Sequence, residues 1–261
     1  VGMDTLKANT TGVRNIAVGS EAYNASDTEN DNVAIGHAAM TTNTAGGTRN
    51  VAVGNYALDA LTSADDNVAV GHTAGTSITT AGNCTFVGRD AGGQVTTGES
   101  NTAIGYATLV DTAATDGGRW NTAVGASTGR AVTTAAYNTM IGAYAAQYLT
   151  TGGSNTLLGY RAGASLTTGP ANICIGQGSM YQQTGGNYNI VIGNDAMYYA
   201  GGTTSNNVVI GNAAGTQMGR VASIKNVYVG GNAGYYATGS YNVFMGYEAG
   251  KGGTTSAPYS S

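Results

Sequence analysis

The chain has 261 residues and a formal net charge of −4, and only 9% of its residues are charged, whereas 43 are glycine. A small negative charge excludes the basic surface that nucleic-acid binding requires. No apolar run reaches the roughly 18 residues that predict a membrane span. Glycine-rich chains are often disordered, but disordered chains lack the regular apolar rhythm that runs through this sequence.

The dominant feature is a pentapeptide, asparagine–β-branched–any–aliphatic–glycine, that recurs along the whole chain. Of the 14 intervals between its closing glycines, nine are 17 residues long and the others are 16 to 20. Such a period is typical of one coil of a β-solenoid. We therefore predict an all-β fold, a parallel β-solenoid (β-roll) of about 15 coils with a period of about 17 residues. We expect a single domain over residues 1–261 that begins and ends within a coil, as a fragment of a longer fibre or a subunit within one would. The closing glycines are Gly2, Gly19, Gly36, Gly54, Gly71, Gly88, Gly105, Gly125, Gly142, Gly159, Gly176, Gly193, Gly211, Gly230 and Gly246.

Asparagine opens 13 of the 14 complete copies, and Cys84 replaces it in the remaining one. Asparagine tolerates left-handed backbone and hydrogen-bonds within turns, and stacked amides can bond from one coil to the next. We therefore predict a structural asparagine ladder. Its members are Asn15, Asn32, Asn50, Asn67, Asn101, Asn121, Asn138, Asn155, Asn172, Asn189, Asn207, Asn226 and Asn242.

The pentapeptide predicts one short strand per coil, because Val, Ile or Thr always follows the asparagine. The second and fourth positions of the pentapeptide share a face of the strand, and we predict that this face points into the coil. The third position would then face outward, yet it carries no charged residue, and a long apolar stripe indicates an interface. An exposed alanine stripe is the alternative for the coils before Met140. The residues predicted to pack between chains are Phe86, Met140, Leu157, Cys174, Val191, Val209, Tyr228 and Phe244.

After each glycine, a small residue and then an aliphatic one precede threonine pairs such as Thr79-Thr80 and Thr167-Thr168. This pattern predicts a second, shorter strand per coil. Because adjacent side chains of a strand point to opposite faces, one file of threonine would be exposed.

The residue before the asparagine alternates in sign over the first coils, as Arg14, Asp31, Arg49 and Asp66. Stacking makes these residues neighbours, so we predict exposed ion pairs, each of which contributes little stability. A weaker hypothesis is a calcium site, since Ca²⁺ prefers oxygen ligands in loops, although no loop has the spacing of a known calcium motif. Its candidate ligands are Asp27, Asp31, Asp65 and Asp66.

Residues Asn32–Ala39, which read NVAIGHAA, and Asn101–Gly105, which read NTAIG, resemble the head repeats of trimeric autotransporter adhesins. Similar repeats occur in bacteriophage tail fibres. The resemblance implies a left-handed β-roll, a homotrimer with three chains side by side, and a role in attachment. The chain departs from the adhesins in its longer coil and in showing no neck, coiled-coil stalk or membrane anchor, so a phage or other extracellular fibre fits equally well.

Aromatic residues are the candidates for surface recognition, since tyrosine and tryptophan suit both sugar stacking and interfaces. Many tyrosines lie near the C-terminus, and the tryptophan lies in the longest coil. Packing between chains is the alternative use of these side chains. The candidates are Trp120, Tyr198, Tyr199, Tyr235 and Tyr236.

The sequence contains no Ser-His-Asp set, metal-ligand spacing or phosphate loop, so we expect no enzymatic activity and no cofactor. The leading hypothesis is a non-enzymatic structural or adhesive fibre segment, located outside the cell, on a cell surface or on a virion. Its expected partners are further copies of itself and a cell-surface glycan or receptor. The alternatives are a self-stacking subunit of an extracellular filament or sheath, and a solenoid that binds polysaccharide or ice.

Overall fold

The structure is a computed structural model that describes residues 1–43, 46–110, 118–199, 204–218 and 223–252. The chain divides into two compact units, Val1–Thr134 and Ala135–Ser261. No described residue is helical, and none therefore belongs to a helix long and apolar enough to cross a membrane.

Each complete pentapeptide forms one three-residue strand. The strands of the first unit are β1 (Ile16–Val18), β2 (Val33–Ile35), β3 (Val51–Val53), β4 (Val68–Val70), β5 (Thr85–Val87), β6 (Thr102–Ile104) and β7 (Thr122–Val124). Those of the second unit are β8 (Thr139–Ile141), β9 (Thr156–Leu158), β10 (Ile173–Ile175), β11 (Ile190–Ile192), β12 (Val208–Ile210), β13 (Val227–Val229) and β14 (Val243–Met245).

Within each unit, consecutive strands pair in parallel and in register, so that Ile16 lies opposite Val33 and Ile173 opposite Ile190. The same register continues through the other pairs of the first unit and of the second. The predicted parallel β-solenoid with a period of about 17 residues is thus confirmed, with about 13 turns. The predicted number of about 15 coils is not confirmed, because the half copy at Val1 and Gly2 forms no strand.

The middle residue of the strand, rather than its two neighbours, points into the coil. It is buried in β1 to β13, whereas both flanking residues are partly or fully exposed. The predicted strand orientation is therefore wrong. The residues assigned to interchain packing lie in the interior of their own chain: Phe86, Met140, Leu157, Cys174, Val191, Val209 and Tyr228 are at most 1% exposed, and Phe244, in the last strand, is partly exposed.

The physical reason lies in how the coil interior is filled. In many coils the middle residue of the strand shares the interior with the residue six positions later, and one is small where the other is large. Ala17 accompanies Tyr23, whereas Phe86 accompanies Gly92. A Cβ atom on Gly92 would lie 2.5 Å from the Phe86 ring. Four further pairs show the same complementary sizes: Ala34 with Met40, Ala52 with Leu58, Leu157 with Gly163, and Tyr228 with Gly234.

The closing glycine is required because adjacent coils approach closely at this point. A Cβ atom on Gly54 would lie 2.2 Å from the carbonyl oxygen of Gly71, and the φ angle of Gly54 is 140°. Ordinary side chains rarely adopt such a backbone conformation.

Three further positions in each coil have left-handed backbone: the residue before the asparagine, and the second and fourth residues after the glycine. In the second coil these are Asp31, Ala38 and Met40, with φ angles of 62°, 51° and 54°. Tight turns of this kind close each coil within about 17 residues.

The second strand predicted for each coil is absent from the described residues, where this segment forms turns and bends. Its backbone still bonds from coil to coil, as in the 3.0 Å bond from the Thr62 N–H to the Thr79 carbonyl. The aliphatic residues that precede the threonines, such as Leu61, Ile78 and Leu149, are buried. In the pair Thr79-Thr80, the second threonine is the more exposed.

Candidate functional site

The opening asparagines are structural residues, and all but the partly exposed Asn15 are buried. The Asn50 Nδ2 donates to the Asn32 Oδ1 at 3.2 Å, and the Asn67 Nδ2 donates to the Asn50 Oδ1 at 3.1 Å. Each Oδ1 also accepts the backbone N–H of the next asparagine, at 2.9 Å for Asn50 and 3.0 Å for Asn67. Equivalent amide–amide bonds connect Asn138 through Asn242 in the second unit. These side chains hold the coils in register and are not exposed to a ligand.

The predicted ion pairs are present in the first unit. Arg14 pairs with Asp31, and Arg49 pairs with Asp66 through two hydrogen bonds of 2.6 and 2.9 Å. The arginine beside each carboxylate lowers the pKa of Asp31 and Asp66, first through the hydrogen bond. Both pairs are exposed to solvent, which screens their interaction.

The acidic residues proposed for calcium binding are not gathered into a site. Asp31 and Asp66 face arginines, and the Asp65 Oδ1 accepts bonds from the Thr48 N–H and hydroxyl at 2.7 and 2.9 Å. Across the described part of the chain, no three His, Cys, Asp or Glu side chains could hold a metal ion together.

Two files of aliphatic and threonine side chains cover the outer face of the strands, and we call this surface the strand face. It consists of the first and third residues of each strand, and none of these residues is charged. Ile35, Ile104, Ile141 and Leu158 are between 37% and 41% exposed. Each unit therefore presents an apolar sheet surface to solvent, on the side opposite to that predicted from the sequence.

A groove of about 410 Å³ lies on another part of the coils, entirely within the second unit. It runs over five successive coils, which corresponds to a length of about 19 Å at the usual strand spacing. Its walls carry aromatic, cationic, anionic and amide side chains. The lining residues are Tyr160, Arg161, Gln177, Gly178, Asp195, Tyr198, Tyr199, Ala213, Thr216 and Tyr235.

Gly178 lines this groove and differs from its equivalents in the other coils. It occupies the second position after the closing glycine, where the copies before and after it carry Arg161 and Asp195. Every other copy has a side chain at this position, and Gly178 is the single glycine in the row. A Cβ atom on Gly178 would lie 2.5 Å from the Asp195 Oδ1 and 3.1 Å from the Tyr198 ring. The missing side chain therefore allows the Asp195 carboxylate and the Tyr198 ring to approach the backbone of this coil closely.

Aromatic rings form one wall of the groove. Tyr198 stacks on Tyr181 with 4.8 Å between ring centroids, and its edge meets Tyr199 at 4.6 Å. Tyr160 and Tyr199 are 43% and 44% exposed, so parts of their rings are free to contact a ligand.

The charged residues of the groove have opposite signs. The Arg161 guanidinium lies 5.1 Å from the Tyr160 ring centroid and 5.7 Å from that of Tyr181, and it forms no ion pair within the described residues. The Asp195 Oδ2 accepts a 3.0 Å bond from the Asn194 side chain. Burial, followed by Tyr181, Tyr199 and Asp195, raises the pKa of Tyr198, while Arg161 opposes the shift. The Tyr198 hydroxyl is therefore a neutral donor at physiological pH.

The structure brings together three of the five predicted recognition residues, since Tyr198, Tyr199 and Tyr235 all line the groove. Tyr236 contacts Tyr235 edge to face at 4.5 Å without lining the groove. Trp120 belongs to the first unit, is 39% exposed and has Arg119 4.5 Å above its ring. Most of the long loop predicted to present Trp120, residues 111–117, lies outside the described residues.

Sequence reasoning missed Arg161, Gln177, Gly178 and Asp195, because these residues lie outside the pentapeptide and are not aromatic. The signal for all four is the gap at Gly178, which becomes visible when the residues after each closing glycine are aligned coil by coil.

The fold and these surfaces define the chain as an all-β parallel solenoid repeat protein. No protein family, no curated protein and no solved structure showed significant similarity to it. The resemblance to adhesin and tail-fibre repeats therefore depends on the repeat motif itself.

Proposed function

We propose that the chain is a non-enzymatic segment of an extracellular fibre, in which copies pack side by side through the strand face and support attachment to a cell surface. The observation that carries this proposal is the uncharged, exposed strand face of each unit.

The size of this face supports self-association. Seven strands spaced about 4.8 Å apart and three residues wide present roughly 300 Å² in each unit. Contiguous apolar patches of this size on soluble proteins often mark interaction sites. Threonine and valine or isoleucine on a flat, regular surface suit packing against an identical surface, because no buried charge would need a partner.

A left-handed trimer is the arrangement that the resemblance to adhesin heads implies, and a rod exposed outside a cell or on a virion is the setting in which such repeats serve attachment. The partners under this proposal are two further copies of the chain and a glycan or receptor on the target surface.

The native mass in solution tests this function. For the wild-type chain we expect a discrete particle near three times 26.0 kDa in light scattering at several concentrations. The double variant Ile35→Lys/Ile104→Lys places two charges on the strand face and should yield monomers that keep the wild-type circular dichroism spectrum. Thr80→Lys, an exposed change away from this face, is the matched control and should leave the mass unchanged.

Other outcomes would redirect the assignment. A wild-type mass that grows without limit with concentration would favour the self-stacking filament, while a monomeric wild type would contradict side-by-side packing. One observation favours a second candidate in the monomeric case. Thr85, Thr102 and Thr122 form a file beside Val87, Ile104 and Val124 in the first unit, a flat array suited to ice or polysaccharide. Thermal hysteresis and ice shaping by the wild type, lost in the double variant, would support that candidate.

A further inference from the structure

The groove around Gly178 combines features that recognise sugars. A saccharide ring has an apolar face of C–H groups and an edge of hydroxyls, so its binding site needs exposed aromatic faces beside hydrogen-bonding groups. Tyr160 and Tyr199 supply partly exposed rings. Arg161, Gln177 and Asp195 supply a donor set, a mixed amide and an acceptor.

The balance of charge points to a neutral ligand. A polyanion would meet Asp195, and a cation would meet Arg161, whereas hydroxyl groups can accept from the arginine and donate to the carboxylate. The groove lies in a unit with few acidic residues, and no second free carboxylate lines it.

The length of the groove indicates a chain rather than a single sugar. The rings of Tyr160 and Tyr235 belong to coils that are four spacings apart, which separates the ends of the groove by about 19 Å. Several linked rings would be needed to contact residues along this whole length.

We propose that this groove binds a neutral oligosaccharide chain, with sugar rings against Tyr160 and Tyr199 and hydroxyls bonded to Arg161, Gln177 and Asp195. Gly178 carries no side chain that would hold Asp195 and Tyr198 away from this part of the groove. This inference names the ligand class of the attachment function proposed above and rests on it.

Two substitutions in the full-length chain test the site. Gly178→Ala adds a methyl group that must displace the Asp195 carboxylate, because its Cβ would lie 2.5 Å from the Asp195 Oδ1. The backbone should accept it, since Ala38, Ala107 and Ala213 occupy the equivalent position with φ angles of 50° or 51°. Tyr199→Ala removes an exposed ring. The matched control is Tyr106→Ala, which removes a tyrosine in the same row as Tyr160 that is 50% exposed and also lies beside an arginine.

The probes are hexasaccharides of glucose (α- and β-linked), mannose, galactose and N-acetylglucosamine, with a hexamer of galacturonic acid and heparin as acidic comparisons. Isothermal titration calorimetry and saturation-transfer NMR measure binding. We expect at least one neutral hexasaccharide to bind the wild type. Gly178→Ala and Tyr199→Ala should each weaken it about tenfold or more, equivalent to about 1.4 kcal/mol, while Tyr106→Ala leaves the affinity unchanged.

Three results would overturn the proposal: no neutral probe binds, only the acidic probes bind and are released by salt, or both groove variants bind as tightly as the control. Light scattering on the same samples separates this site from the fibre proposal. A particle of three chains without sugar binding rejects the groove assignment alone, and sugar binding by a monomer rejects side-by-side packing alone.

Discussion

Phe86 offers the sharpest test of how the coils are packed, because its ring takes the space that a second side chain fills in other coils. It is 1% exposed, and Cβ atoms on Gly75 and Gly92 would lie 3.0 and 2.5 Å from it. Phe86→Ala should therefore lower the free energy of unfolding by about 3 to 5 kcal/mol, through lost burial and the cavity left behind.

A second substitution should repair this damage. Phe86→Ala/Gly92→Leu reproduces the arrangement of Ala52 with Leu58, and Leu58 has a φ angle of 51° against 62° for Gly92. We expect the double variant to recover about 2 kcal/mol relative to Phe86→Ala, whereas Gly92→Leu alone should cost about 1 to 3 kcal/mol by overpacking.

Urea unfolding of the four proteins, followed by the fluorescence of the single tryptophan in the same unit, measures the coupling between the two changes. The expected coupling is about 3 kcal/mol or more in favour of the double variant. If the effects of the single changes simply add, the two positions do not share one interior volume and the packing argument is wrong.

Three further outcomes follow from the stacking of the coils. Cys84→Asn should stabilise the chain by about 1 kcal/mol in thermal or urea unfolding, because it adds an amide to the ladder where the Asn67 Oδ1 already accepts the Cys84 N–H at 2.9 Å; a loss of stability would show that this coil has no room for it. Gly71→Ala should cost about 3 kcal/mol or more, since its Cβ would lie 2.4 Å from the Gly88 carbonyl oxygen, and Gly93→Ala, whose nearest contact is 3.3 Å away, should be far milder in the same unfolding assay. The lowered pKa of Asp66 means that its pair with Arg49 stabilises the fold above the pKa of an unfolded aspartate, about 3.9, and loses this effect as pH falls through the folded pKa. The melting temperature of Asp66→Asn should therefore change less than that of the wild type between pH 5 and pH 2, and parallel curves would contradict this account.

The features that stacking dictates were predictable from the sequence. A fixed interval between identical pentapeptides requires equivalent positions to lie above one another, which predicts the parallel strands in register. The charges of Arg14, Asp31, Arg49 and Asp66 became neighbours for the same reason. None of these predictions needed knowledge of what fills the coil.

The alternation of side chains does not show which face of the strand points into the coil, because both of its faces are apolar. The buried face is decided by complementary size between the middle residue of the strand and the turn residue six positions later. Ala17 with Tyr23 and Phe86 with Gly92 are examples. The threonines at Thr85 and Thr102 also indicated exposure, since nothing inside the coil would satisfy their hydroxyls.

The groove was only partly predictable. The aromatic content identified Tyr198, Tyr199 and Tyr235. A glycine, in contrast, carries no side-chain group that indicates a binding site in the sequence. Gly178 differs from the other glycines of the chain only when the same position is compared in the neighbouring coils, which carry Arg161 and Asp195.

The amide ladder also gives each unit a direction. Asn172 shows the pattern: its Nδ2 donates to the Asn155 Oδ1 in the preceding coil and to the Gly186 carbonyl in the following one, and its Oδ1 accepts from Asn189. The side-chain oxygens that bridge the coils all accept from the following coil, so the two faces of a coil are chemically different: one presents the asparagine Oδ1 and the other does not. A coil added in the opposite sense would set like groups against each other, and the repeat can therefore be extended by coils of a single polarity.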